Sequence, residues 1–188
     1  MPEFFVVTNA DPPWGDYGDI LWNGLSRRDP PGTAVKLSRS GPYVPPLTLP
    51  FGEIVVVDSL RRALEAGRFT GFEFSEAQYE NVVRIDWQAW DASSLEPPRY
   101  PETGEPEDYI LKGSHDPSLL RDMPRLWALD VQPTLGLQVH GSSTFRLNRH
   151  PGTDIAREHS IFWVSGRLKD AMERSAGGWI NFKRVVPR

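Results

Sequence analysis

Cysteine is absent from the 188 residues. That excludes disulfides, thiolate metal sites and a thiol nucleophile. Long apolar runs are missing as well: no stretch approaches the roughly 18 residues that a membrane-spanning helix needs. The opening "MPEFFVVTNADPPWGD" lacks a basic segment followed by a long apolar core, so it does not read as a secretion signal, and a cytoplasmic protein is expected. Positive charge is in short supply, with 21 Lys and Arg against 25 Asp and Glu, a net charge of −4. Nucleic-acid binding depends on a basic surface that displaces counterions, so none is expected, and a basic partner fits better. The familiar catalytic loops are missing too. No GxxxxGK[ST] or post-strand GxGxxG is present to cradle a phosphate, and no serine sits in a GxSxG elbow. No cofactor is expected.

What the chain does have is an element written twice. "GEIVVVDSLRRALEAG" and "HSIFWVSGRLKDAMER" each run four apolar residues into a small polar pair, a Leu, a basic residue, an Ala and a Glu. Ile54 matches Ile161, Val57 matches Val164, Leu60 matches Leu168, Ala63 matches Ala171 and Glu65 matches Glu173. Each unit predicts a buried strand, an amphipathic helix and a returning strand. The units span about 52–77 and 159–186. In the first, Asp58 or Ser59 is the expected helix cap, the stripe is Leu60, Ala63 and Leu64, and "TGFEFSEA" returns. In the second, Ser165 caps, Leu168, Ala171 and Met172 form the stripe, and "WINFKRVV" returns. Any strand–helix–strand unit favours such residues, so the repeat is first a packing device: one unit exposes an apolar helix face that a second can cover.

Between the units, "NVVRIDWQAW" predicts another strand with Val83, Ile85 and Trp87 on one face, and "YILKG" reads as a strand. "PRLWALDV" is ambiguous, and "LGLQVHG" with "TFRLN" reads as a hairpin. The proline-rich stretch 93–108 reads as a linker. The expected architecture is one α+β domain over 1–188, with two strand–helix–strand units packed around a shared mixed or antiparallel sheet and Pro/Gly-rich loops.

Side chains that could carry chemistry are few. His140, His150 and His159 surround Asp154, but their spacing matches no zinc signature, and polar loop residues explain them equally well. Acids cluster at Asp11, Asp16 and Asp19 and again at Glu102, Glu105, Glu107 and Asp108. Both clusters lie among loop formers, where solvated carboxylates keep ordinary acidity and do no acid–base work. Aromatics accompany the first cluster: "PPWGDYGDILWNG" carries Trp14, Tyr17 and Trp22. Rigid aromatics beside acids suit a recognition surface. Equally, Trp14 and Trp22 can fold back as satellites of the core.

The repeated units, with Tyr109-Ile110-Leu111, Ala128-Leu129-Asp130 and Phe145-Arg146-Leu147 between them, resemble the immunity protein 11 family of bacterial polymorphic-toxin systems. The resemblance covers about 52–186 and omits the N-terminal stretch. It departs from one related branch in having no CxxCG pairs, and from the commoner pattern in reading "VDSL" ahead of its first helix. It implies a non-enzymatic protein that binds a cognate toxin and blocks it, and it brings no catalytic residues. On this reading the partner-binding residues are Trp14, Asp16, Tyr17, Asp19 and Trp22, with Glu102, Glu105, Glu107 and Asp108 as a second surface. A different class, a metal-dependent or hydrolytic enzyme, would use His140, Asp154 and His159; a non-catalytic adaptor is a third.

Overall fold

The two repeat units are each a split β-α-β, and each leaves a slot one strand wide that a distant part of the chain fills. The computed structural model describes residues 3–30, 32–134, 146–147 and 150–187. Among these, the strands are β1 (Phe4–Asn9), β2 (Leu25–Arg27), β3 (Lys36–Gly41), β4 (Leu47–Thr48), β5 (Val55–Val57), β6 (Phe72–Arg84), β7 (Leu126–Val131), β8 (Arg146–Leu147), β9 (Ile155–Glu158), β10 (Ile161–Ser165), β11 (Ile180–Arg184) and β12 (Val186–Pro187). The helices are α1 (Asp16–Asn23), α2 (Asp58–Ala66), α3 (Asp108–Leu111) and α4 (Gly166–Ala176). A six-stranded sheet runs β2-β3-β6-β7-β5-β4, a four-stranded sheet runs β11-β1-β10-β9, and β12 pairs with β8. The expected hairpin over "LGLQVHG" and "TFRLN" lies outside the described residues, apart from β8.

In the first unit β5 and β6 both pair antiparallel with β7, which sits between them. In the second, β10 and β11 both pair antiparallel with β1. The α+β class is as expected, but the single shared sheet is corrected: the units lie in separate sheets and share a core instead. The reason is the slot. Each unit satisfies its inner strand edges with its own inserted strand, and what remains uncovered is the helix faces. Accordingly α2 and α4 pack together, and Leu60, Leu64, Leu168, Met172 and Ala176 join Val56, Leu129, Phe162 and Val164 in one buried cluster. Burying each large side chain contributes about 1.5–3 kcal/mol. Ala63, expected on the α2 stripe, is exposed, because a helix of nine residues reaches the partner only through Leu60 and Leu64.

Strand β6 replaces the two strands expected over "TGFEFSEA" and "NVVRIDW". Its first half, Phe72–Ala77, pairs with β7, and its second half pairs with β3. Apolar side chains therefore serve different cores along its length: Phe72 and Phe74 face α2 and α4, whereas Val82 and Val83 belong to two further clusters. The alternation changes midway, which makes one strand look like two. Ile85 and Trp87 are buried as expected, although Trp87 already begins a 3-10 turn.

The caps differ between the units. Ser165 Oγ accepts the Leu168 N–H at 3.2 Å, as expected of an N-cap. In α2 the cap position is Val57, with no side-chain bond. Asp58 instead binds Arg61 at 3.0 Å and accepts the Trp127 indole N–H at 3.1 Å. Ser165→Ala is expected to cost about 1 kcal/mol, whereas Ser59→Ala changes stability by less than about 0.5 kcal/mol. Denaturant midpoints of the two variants check this.

Tyr109 to Leu111, expected as a strand, form α3. Tyr109 and Ile110 are both buried while Leu111 is exposed, a pattern that one helical turn gives and an alternating strand does not. No helix among the described residues is long and apolar enough to cross a membrane.

Candidate functional site

Residues 11–24, expected as loop, form α1 and its entry turn. Helix α1 is short and carries no side-chain N-cap, so its signal is weak. Its terminus is held from outside: Arg39 Nη2 donates to the Trp22 carbonyl at 3.0 Å, and Ser40 Oγ donates to the Leu21 carbonyl at 3.0 Å. These bonds satisfy carbonyls that a helix end leaves without partners. Arg39 is fully buried, and burial lowers its pKa to about 10. Gly18 permits the close return of the entry turn, because a Cβ there would lie 1.8 Å from the Pro13 carbonyl oxygen.

This placement decides between the two readings of the aromatics. Trp14 is buried with its ring 5.5 Å from that of Trp90, and Trp22 is half-buried, 4.5 Å from Trp179 and 6.5 Å from Trp87. With Ile20, Leu21, Val83, Ile85 and Ile110 they form a third core. Trp14 is therefore corrected from a surface anchor to a core residue, and Trp22 packs half-buried against the same core. Their large apolar area is worth more buried against other rings than in water.

Tyr17 does something the sequence did not show. Its hydroxyl donates to the Gly104 carbonyl at 2.6 Å, across 87 residues, and its ring meets Tyr100 edge-on at 4.9 Å. The stretch 93–108 is thus tied to α1, and Tyr109 closes it from the other side by donating to the Arg99 carbonyl. The two acidic clusters adjoin as a result. Asp16, Glu102 and Glu105 are exposed, while Glu107 and Asp108 are half-buried at the start of α3, with Asp108 accepting from Thr103 Oγ at 2.6 Å. Asp19 is half-buried, and its Oδ1 accepts the side-chain amides of Asn9 at 2.8 Å and Asn23 at 2.9 Å. Burial raises its pKa against the Asn23 bond, and the nearby Asp16 charge adds to the rise.

The histidine and aspartate set does not converge. Asp154 and His159 stand at opposite ends of β9, about 16 Å apart at the usual rise per residue; His140 lies outside the described residues. Asp154 joins the repeats instead. It accepts from Thr70 N at 2.9 Å in the first unit, and from Ser165 Oγ at 2.8 Å and Arg167 Nη2 at 2.7 Å in the second. Burial pulls its pKa upward, but the bonds from Arg167, Thr70 and Ser165 prevail and hold it down to about 2. Among the described residues no group of three or more His, Cys, Asp or Glu could hold a metal ion.

Sequence reasoning passed over two recesses. A cleft of about 760 Å³ lies between the end of β6 and the 99–117 stretch, lined by Arg84, Arg99, Tyr100, Lys112 and His115. His115 Nδ1 accepts the Val82 N–H at 2.8 Å. A smaller pocket of about 380 Å³ is lined by Asn9, Asp19, Phe51, Gly52, Glu53 and Ser160. Phe51 is 72% exposed and sits at φ 42° in the Pro50–Gly52 turn. Its sequence signal, an aromatic between Pro and Gly, resembles many turns.

No family model matches the chain, and no curated protein matches it.

Proposed function

We propose that this protein is a cytoplasmic immunity protein, which binds a basic cognate toxin through its acidic face and occludes the toxin's active cleft. The observation that carries the reading is the Tyr17 contact with Gly104, which joins Asp16 on α1 to Glu102 and Glu105 in one exposed surface. Exposed carboxylates gathered on one surface attract a basic partner during diffusion and raise the association rate. The tryptophan cluster beneath holds α1 and the 99–108 stretch in place, so little ordering is left to be done on binding. The sequence resemblance to the immunity protein 11 family supports the same reading. An interface of ordinary size would cover about 800 Å² of each partner, enough to include α1, Tyr100 and the acidic stretch.

Affinity capture of the tagged protein from its native cells tests this. The expected result is one partner at one-to-one ratio that is toxic when expressed without this protein. The triple variant Asp16→Lys, Glu102→Lys, Glu105→Lys should associate about tenfold more slowly or worse at low salt, with unchanged folding, since all three side chains are exposed. An unchanged association rate would place the interface elsewhere, and the absence of any stable partner would overturn the reading.

A further inference from the structure

The pocket beside α1 has three features that the packing of the fold does not account for. The first is an uncommitted carboxylate. Asp19 Oδ1 takes both asparagine amides, while Oδ2 has no hydrogen bond and no basic side chain pairs with Asp19 among the described residues. Glu53, the other acid in the pocket, is satisfied: Arg28 donates to it through Nε at 2.8 Å and Nη2 at 3.0 Å. The second is the Phe51 ring, held out at the rim by a backbone conformation that non-glycine residues rarely adopt. Such conformations persist where the surroundings impose them and cluster at ligand-binding positions. Here the turn is fixed by Pro50, whose carbonyl accepts from Ser26 Oγ at 2.7 Å, and by Gly52, which passes close to Ser160. The third is the space itself, about 380 Å³, within the range of about 300–1,000 Å³ common for ligand pockets.

We infer that this pocket receives a single cationic side chain, an arginine, from the bound partner: the guanidinium meets Asp19 Oδ2 and stacks on the face of Phe51. A half-buried carboxylate beside a like charge gains most from a cation, and an aromatic face adds to its attraction. Arginine fits better than lysine, because its planar group can hydrogen-bond and stack together. A divalent metal fits poorly, since one uncommitted carboxylate supplies too few charged oxygens. The assignment rests on the protein-binding reading above and adds the chemistry of one contact.

The test uses the full chain with a small probe, so that it does not depend on finding the partner. Nα-acetylarginine N-methylamide, titrated by NMR, should give saturable shifts confined to Asn9, Asp19, Phe51, Gly52 and Ser160. The neutral citrulline analogue should bind at least about tenfold more weakly. Asp19→Asn should abolish saturation, and Phe51→Ala, which removes only an exposed ring, should weaken binding several-fold. Equal shifts with citrulline, shifts centred elsewhere, or wild-type binding by both variants would overturn the assignment. Absence of any stable partner in the capture experiment, with arginine binding intact, would instead overturn the toxin reading and leave the pocket standing.

Discussion

Trp87→Ala is expected to lower stability by about 3–5 kcal/mol, the usual cost of removing a buried large aromatic. Trp87 is almost fully buried, and its ring lies 5.4 Å from Tyr43, 6.2 Å from Trp179 and 6.5 Å from Trp22. Truncation would leave three rings facing a void that none can fill without leaving its own contacts. A domain of this size has about 5–15 kcal/mol in total, so the variant should unfold at a much lower denaturant concentration. Trp90→Ala, at a half-buried ring, should cost clearly less. Partner association should fall in Trp87→Ala although no atom of the acidic face is removed, because this core seats α1 and α3. A denaturant midpoint near that of the parent protein would mean that the cluster is not a core.

Asp154→Ala is expected to cost about 2–4 kcal/mol, because it leaves Arg167, Ser165 and the Thr70 amide without their shared acceptor. Asp154→Asn keeps the shape and one acceptor oxygen but loses the charge, and should cost less. The effect is pH-dependent with a defined sign. The carboxyl is held from an ordinary 3.8 down to about 2 in the folded protein. Its contribution, about 1–2 kcal/mol after solvent screening, is complete above about pH 4–5 and is lost as pH falls through 2. The gap between the parent and Asp154→Asn should therefore be full at pH 6 and much smaller at pH 2. A gap independent of pH would show that shape, not charge, makes the link between the units.

That link shows how far local patterns reach. The repeated strand and helix, the buried Leu60, Leu64, Leu168 and Met172, and the Ser165 cap were all legible, because each is fixed by neighbours within a turn or two. The structural role of Asp154 was not. Its partners Thr70 and Ser165 lie 84 and 11 residues away, and nothing in "PGTDIAREH" distinguishes a bridging carboxylate from a solvated one. Helix α1 failed for another reason. It has eight residues, Gly18 among them, between the flanking Gly15 and Gly24, and the carbonyls of Leu21 and Trp22 at its end are satisfied by Ser40 and Arg39 from β3 rather than by any neighbour in the chain.

By itself the sequence determined that Leu60, Leu64, Leu168 and Met172 would be buried, that two similar units would cover one another's helix faces, that acids would gather near 11–19 and 96–108, and that aromatics would accompany the first of these. Tertiary structure alone decided that β1 and β7 fill the slots in those units, that Trp14 and Trp22 turn inward, and that Tyr17 draws the acidic stretches onto one face. The division follows from the forces involved. Side-chain burial leaves a periodic trace in the chain, whereas backbone hydrogen bonding between strands is chemically the same for every strand. Which one enters a slot is therefore settled only when the whole core has assembled around it.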